Sequence, residues 1–517
     1  MINNCPFDIS PYAQSEVISK PNIFNLNYTN QDFWSMKSRL IEFTKQRYEK
    51  EFGDFVESSL AIMLIENWAF LADTLSFKMD QIANEIFIDT VTEIDNAFRL
   101  AKLVGFEPKP PIAAKSLWTA SLNNPVLQDV IVPTPYVLSV SGGNEILDIE
   151  LFPSDANNEP LLDDDIIIPA NSIVNASVIG LEGRTRTQEI LGNGAIGQNI
   201  ELNYRPVIFD SIRVDIDGVR WEKVDFFTDS QPRREYRVEF DANYAAFIIF
   251  GNNRSGLIPS VGSKIRITYR NGGGSKGNLV SNAVEKETIV SVSGINYPIP
   301  VFFKNYTKAQ YGYDGDTIED IRRNLPQWLR TQNRAVTGND YKTLTDQFAT
   351  PYQGQIGKSI AVLRNHGCAA NIIDIYILAK KDQDGLEIAG DQLKIELEDY
   401  LNQKKMITDF ICIKNGVIIQ TDIAIDVILD RFYRKFEDEL RTKIERRINS
   451  FFRISNWEYG ETLRDTDIIK ELSDINEIKR FEITLTTNDE NNSGQVVTTK
   501  YYEIIRSDDI EINFTYE

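Results

Sequence analysis

The sequence predicts an α+β multidomain fold, with an N-terminal helical segment, central β-rich domains and C-terminal α/β domains. Three observations carry that prediction. Apolar residues occupy nearly every position from Leu60 to Leu75, a run of helical length. Between about Pro108 and Gln310, short apolar runs alternate with clusters of Gly, Asn, Pro and Asp, as strands alternate with turns. Beyond Tyr311, segments of helical period and of period two succeed one another. A chain of 517 residues has room for about three or four domains, and 42% hydrophobic residues supply ample core material.

The elements follow in order. Residues 1–36 are rich in Asn, Pro and Ser but carry Phe7, Tyr12, Phe24, Tyr28, Phe33 and Trp34, too many aromatics for plain disorder. They read as an extended arm that becomes ordered on a neighbour. Residues 37–107 form a helical domain. Its last helix is predicted to start at a capping box of Thr90 and Glu93, to bury Ile94, Ala97, Phe98, Ala101 and Val104, and to stop at Gly105 before Pro108. The helix before it leaves almost no polar face, so it requires cover on nearly every side. Either the following β region supplies that cover or another subunit does.

Residues 108–215 form a β-rich domain with strands near Asp129–Val132, Ile166–Ile168 and Val207–Val214. Residues 216–310 form a β domain with a glycine-rich hairpin, in which a strand ending at Phe250 turns through Gly251, Asn252, Asn253 and Gly256 into the alternating run Lys264–Arg270. Residues 311–430 form an α/β domain. Asp316 with Glu319, and Thr337 with Asp340, are the predicted starts of its first two helices. Residues 431–517 form a C-terminal α/β domain, in which Phe432, Phe436, Leu440, Ile444 and Ile448 recur at every fourth position as one helical face.

The punctuation from Phe250 to Tyr341 resembles that of the baseplate J-like proteins, the wedge-ring subunits of contractile phage tails and related injection machines. The matching residues are Phe250-Gly251, Gly256, Pro259, Gly262, Tyr269, Gly273-Gly274, Gly277-Asn278, Gly315, Arg322, Pro326, Ala335-Val336-Thr337 and Asp340-Tyr341. Asn252-Asn253 stands where many relatives carry Asp-Gly, a change that preserves the turn because Asn also tolerates left-handed backbone. The segment from Glu66 to Pro111 is similar to the family's helical segment, and Asp422–Leu429 with Trp457, Gly460 and Leu463 to its tail.

Chemistry is harder to find. A formal net charge of -21 opposes phosphate backbones and anionic lipid surfaces, so neither nucleic acid nor membrane is an expected partner. Arg322, Arg323, Arg330 and Arg334 are the best candidate for a local basic strip, and are read as pairing with neighbouring carboxylates. Three scattered cysteines, Cys5, Cys368 and Cys412, argue for a reducing place of synthesis, and Met1–Pro6 has no signal-peptide character. Glu66 and Asp73 interrupt the apolar run, which is therefore read as a buried helix of a soluble chain.

The run Gly272–Gly277 lacks the Gly-Lys-Ser/Thr order of a phosphate loop and reads as a glycine-bent strand end. His366 is the only histidine, so a multi-histidine zinc site within one chain is excluded, and beside Cys368 it reads as a turn residue. Asp163, Asp164 and Asp165, and Asp382, Asp384 and Glu387, lack calcium-loop spacing and read as solvated loops. No catalytic, cofactor-binding or metal residue is assigned, no cofactor is expected, and the chain is expected not to be an enzyme.

The resemblance implies an architectural role, as a baseplate wedge subunit in the ring around the central hub that rearranges when the sheath contracts. It further implies as partners other copies of the chain, a second baseplate wedge protein and a sheath-initiator protein, in a virion tail baseplate assembled in the host cytoplasm. Leu60, Leu64, Trp68, Leu71, Leu75, Phe432, Phe436 and Leu440 are the candidate subunit-interface residues. The alternative is a tail-associated receptor-binding or glycan-degrading protein.

Overall fold

The computed structural model describes residues 32–47, 59–142, 145–227, 232–282, 284–290, 298–366, 370–381, 385–429, 431–475, 477–487 and 492–516. Most of the predicted N-terminal arm, with Cys5, therefore lies outside the described residues, as do Cys368, Asp382 and Asp384. Two compact units are present. One comprises the described residues up to Pro108 together with Asp316–Leu329; the other comprises Lys109–Gly315 and Arg330 onward.

The smaller unit is helical: α1 (Phe33–Arg47), α2 (Leu60–Asn84), α3 (Ile94–Leu103) and most of α4 (Ile318–Thr331). Phe33 and Trp34 open α1 and do not belong to an extended arm. In α3 the predicted face is buried at Ala97, Phe98 and Ala101. Gly105, at φ 75°, ends it, with the Gly105 amide donating to Lys102 and the Phe106 amide to Ala101. The start of α3 differs from the predicted capping box. Thr90 donates its hydroxyl to Asn84, and Glu93 makes no side-chain cap. Glu85, just past the end of α2, accepts instead from the amides of Thr92 (2.9 Å) and Glu93 (3.2 Å) and from the Asn96 side chain (3.0 Å). Burial pushes the Glu85 carboxyl up, but the bonds from Thr92, Asn96 and Glu93 outweigh it and leave it below its ordinary value. A capping partner contributed by the preceding helix is invisible to a three-residue spacing rule.

Helix α4 is also capped one residue later than predicted, by Thr317 and Asp320, whose backbone and side chains bond reciprocally. Of the arginines beyond it, Arg322 pairs with Glu319 at 2.8 Å and Arg323 with Asp320 at 2.6 Å, while Arg334 bonds Gln332. Arg322 is buried and also donates to the Val91 carbonyl, and Trp328 meets Phe106 edge-on at 5.9 Å, so α4 closes onto the α3 region.

The larger unit begins with a six-stranded antiparallel sheet in the order Glu285–Val290, Ile299–Asn305, Lys115–Leu122, Val174–Glu182, Glu145–Pro153, Tyr136–Gly142. Trp118, Leu151, Val178, Val301 and Phe303 lie in its core. Residues 184–271 are inserted between two of its strands and form two four-stranded sheets around Trp221, Tyr236, Phe250, Ile267 and Tyr269. The predicted domain limits are therefore crossed. The limit at 215/216 falls inside strand Arg213–Ile216, and strands after 284 return to the first sheet.

The glycine-rich hairpin is likewise replaced. Ala246–Phe250 pairs with Glu235–Phe240 and Asn199–Glu201, whereas Lys264–Asn271 pairs with Arg184–Leu191 and Arg213–Ile216. The connection between them carries the chain from one sheet of the insert to the other. Asn253, Gly256 and Gly262 all have φ near 65–80°, which lets that connection fold back tightly.

After α4 come α5 (Gly338–Asp346), a long hairpin of Gly354–His366 with Ala370–Lys380, and α6 (Asp391–Asn402), which crosses over to the parallel strand Asp409–Asn415. The predicted Thr337/Asp340 capping box of α5 is formed. The last core gathers strand Val417–Leu429, flanked by Ile478–Thr487 antiparallel and Glu503–Tyr516 parallel, under α7 (Glu437–Phe451) and α8 (Asp465–Leu472). Strand Val417–Leu429 thus pairs with strands beyond the expected limit at 430/431.

Candidate functional site: an uncovered apolar helix

Helix α2 runs for 25 residues, and only Ile62, Ala69 and Ser76 are buried. These three are spaced by seven, a single stripe, and α1 packs against α2 with Met36 buried. Lys37 of α1 and Glu66 of α2 meet at 2.7 Å. Much of the remaining circumference is apolar and exposed. Leu60, Leu64, Trp68, Leu71 and Leu75 are 70, 50, 63, 46 and 56% exposed. Met63, Phe70, Phe77, Met79 and Ile82 are exposed as well, and Trp34 and Phe43 of α1 extend the apolar surface. The predicted buried helix is therefore mostly exposed within the chain.

The five predicted interface residues of α2 share one stripe, and that stripe is longer than predicted. The steps from Leu60 through Leu64, Trp68, Leu71, Leu75 and Met79 to Ile82 are 4, 4, 3, 4, 4 and 3, a repeat of eleven residues per three turns. Such a period keeps one face aligned along a nearly straight helix, the form needed to lie lengthwise against other helices. Continuing the 4-4-3 spacing past Leu75 is the signal that identifies Met79 and Ile82. Among the described residues this is also the one helix long and apolar enough to cross a membrane. It carries Glu66, Asp73, Lys78 and Asp80 along its length.

The second predicted interface divides. Residues 431–436 form a 3-10 turn and α7 starts at Glu437, so the fourfold series is not one helix. Phe432 (74%) and Phe436 (46%) are exposed, while Leu440 is 3% exposed and packs with Ile444 and Ile448 in the C-terminal core. Leu440 is thus a core residue. Phe436 and Leu440 border a shallow pocket of ≈ 230 Å³ with Tyr433, Glu439, Lys443 and Glu477. We expect Leu440→Ala to cost about 2–5 kcal/mol and Phe436→Ala less than about 1 kcal/mol, read as shifts of the urea midpoint of the C-terminal core.

Other candidates do not converge on chemistry. Asp163 pairs with Arg213 at 3.5 Å and Asp165 accepts from the Thr134 amide at 3.0 Å. Among the described residues, no group of three His, Cys, Asp or Glu side chains is placed to hold a metal ion. Gly272, Gly273 and Gly274 all have positive φ at the end of their strand and lead into one 3-10 turn, Ser275–Gly277, which the glycine-bent strand end did not anticipate.

Residues 32–103, which hold the exposed stripe, match the family model for the N-terminal domain of bacteriophage baseplate proteins. Among solved structures the chain is similar to one in the cryo-EM structure of the anti-feeding prophage baseplate, 6-fold symmetrised, at 11% identity and TM-score 0.35, over 94% of this chain and 95% of that one. It is also similar to a chain of the type VI secretion system TssK-TssF-TssG baseplate subcomplex, at 10% identity and TM-score 0.28, over 69% of this chain and 96% of that one. Likenesses of that score support no inference by themselves. A comparison with curated proteins finds no match.

Proposed function

We propose that this chain is a structural wedge subunit of a contractile-tail baseplate, of the J-like type, that oligomerises into the ring around the central hub and takes part in baseplate rearrangement when the sheath contracts. The observation that carries the reading is the exposed 4-4-3 stripe of α2, within the segment that matches the baseplate N-terminal domain. A monomer rarely leaves so much contiguous apolar surface in water, and a helix of this length and period fits a bundle with helices of sibling subunits. The partners are further copies of the chain, a second wedge protein and a sheath-initiator protein, assembled in the host cytoplasm into the tail baseplate. The role involves surface fitting without bond making.

The test is co-expression with the other baseplate proteins of the same tail, followed by mass determination of the purified complex and vesicle flotation of the chain alone. A stoichiometric complex that buries α2, shown by protection of its amides, supports the reading. A chain that stays monomeric in the mixture, floats with vesicles, or cleaves a cell-wall polysaccharide overturns it.

A further inference from the structure

The inserted domain, residues 184–271, joins the six-stranded sheet at two places, and those two places touch. On the way in, strand Val174–Glu182 leads through the single residue Gly183 into strand Arg184–Leu191. On the way out, strand Lys264–Asn271 leads into Gly272, Gly273 and Gly274. Gly183 has φ 105° and Gly272 φ 125°, conformations that L side chains rarely adopt. A Cβ on Gly272 would lie 2.8 Å from the Gly183 Cα, so the two crossings pass within contact of each other.

Three buried titratable side chains close over this point. Glu150, on the six-stranded sheet, accepts from Arg270 Nε at 3.1 Å and from the amide and hydroxyl of Thr185 in the insert, at 2.5 and 2.7 Å. Arg270 also donates to the Leu181 and Glu182 carbonyls, both at 3.1 Å. Glu182 accepts from the Gly273 amide at 2.6 Å. Their exposures are 1, 5 and 8%, so Glu150 and Arg270 depend on each other for their solvation, and the Glu182 carboxyl depends on the Gly273 amide. Elsewhere on the seam, the Phe209 amide donates to the Pro111 carbonyl at 2.8 Å and Arg213 meets Asp163 at 3.5 Å.

We propose that the paired crossings at Gly183 and Gly272–Gly274 form a hinge on which the inserted domain turns against the six-stranded sheet, with Glu150, Arg270 and Glu182 as the latch that holds it closed. Two short links side by side, one of a single glycine and one of three, confine motion to rotation about one point, and glycine absorbs the backbone change there. The insert keeps its own core, so turning costs seam contacts and leaves its sheets intact.

The latch is sensitive to protons. Burial raises the Glu182 carboxyl to about 7, against the lowering influence of the Gly273 amide and Arg270; Asp148 and Asp314 raise it further. Arg270 is shared with Glu150, which limits the relief it gives Glu182. The closed form therefore holds a proton that an opened, hydrated Glu182 releases. Closure is fully favoured below the carboxyl's ordinary value and weakens as pH rises to about 7.

Hydrogen exchange on the full chain tests the hinge. Protection of the Gly183, Thr185 and Gly273 amides, corrected for intrinsic exchange, is expected to fall up to about tenfold per pH unit between pH 5 and 7, and then to level. The Phe209 amide, away from the carboxyl on the same seam, is expected to follow in step, while amides within Lys264–Asn271 stay protected. Glu182→Gln is expected to remove the pH dependence at all four positions. Protection that is flat with pH in the wild-type chain, or that changes at Gly273 but not at Phe209, overturns the hinge; the wild-type series decides this even where the variant fails to fold.

Discussion

Replacing Trp68 and Leu71 by glutamate is expected to leave the chain folded while dissolving the proposed assembly with baseplate partners. Both side chains already stand in water in the isolated chain, at 63 and 46% exposure, so the substitutions remove few internal contacts. Exposed positions of this kind typically change stability by about 0.5 kcal/mol or less, and the melting temperature is expected to move by no more than a few degrees. In an assembled bundle the same residues would be central and desolvated. Losing a large aromatic anchor at such a site costs about 2 kcal/mol or more, roughly 30-fold in affinity, and a carboxylate in its place adds the cost of burying an unpaired charge. Binding of the double variant to co-expressed partners, followed by mass measurement, checks this. Normal assembly would remove the role given to α2. Substitution is a cleaner test than deleting residues 1–107, because Trp328 and Arg322 of α4 pack on the α3 region and would lose their cover with it.

Asp374→Ala is expected to have the largest effect on folding. Asp374 is 1% exposed and accepts at Oδ1 from Arg364 Nη2 at 2.6 Å and at Oδ2 from Lys414 at 3.2 Å, and its Oδ2 forms an ion pair with the guanidinium, 2.5 Å from Arg364 Nε. The three lie on neighbouring strands, Gly354–His366, Ala370–Lys380 and Asp409–Asn415, and tie the antiparallel and parallel edges of that sheet together. Removing the carboxylate strands a guanidinium that is 6% exposed, which costs about 3–5 kcal/mol. A chain with several cores does not unfold in one step, so a local readout is needed. Protection of the amides of these strands is expected to drop by roughly 100-fold or more. Replacing Arg364 and Asp374 together by leucine is expected to recover much of the loss, since apolar pairs often substitute for buried ion pairs without penalty. Equal losses in the single and double variants would show that Lys414 and the strand geometry, and not the Arg364–Asp374 pair, carry the stability.

How far the sequence could be read depended on the range of the interaction involved. The Thr337/Asp340 capping box is legible because both partners lie within one turn and bond each other. The cap of α3 is not, because Glu85 reaches it from beyond the end of another helix. The Phe432-to-Ile448 series obeys helical spacing throughout, yet its first two members precede α7 and face water, and its last three enter the core. Periodicity alone does not distinguish a face that packs inward from one left open. On α2 the same limit worked the other way. Continuous apolarity implied cover on all sides, and the chain covers one stripe only.

By itself the sequence determined the α+β class, the helical identity of the segment around Trp68, some strands such as Ile166–Ile168 and Lys264–Asn271, and the apolar stripe on which the proposed assembly rests. Each follows from local propensity and spacing, which act between residues a few positions apart. Only the tertiary structure decided that residues 184–271 are an insertion, that Phe250 and Lys264 belong to different sheets, and that Glu150, Arg270 and Glu182 meet. Those outcomes depend on strand pairings separated by tens to hundreds of residues, for which a period-two pattern says which face is buried but not which partner lies beside it.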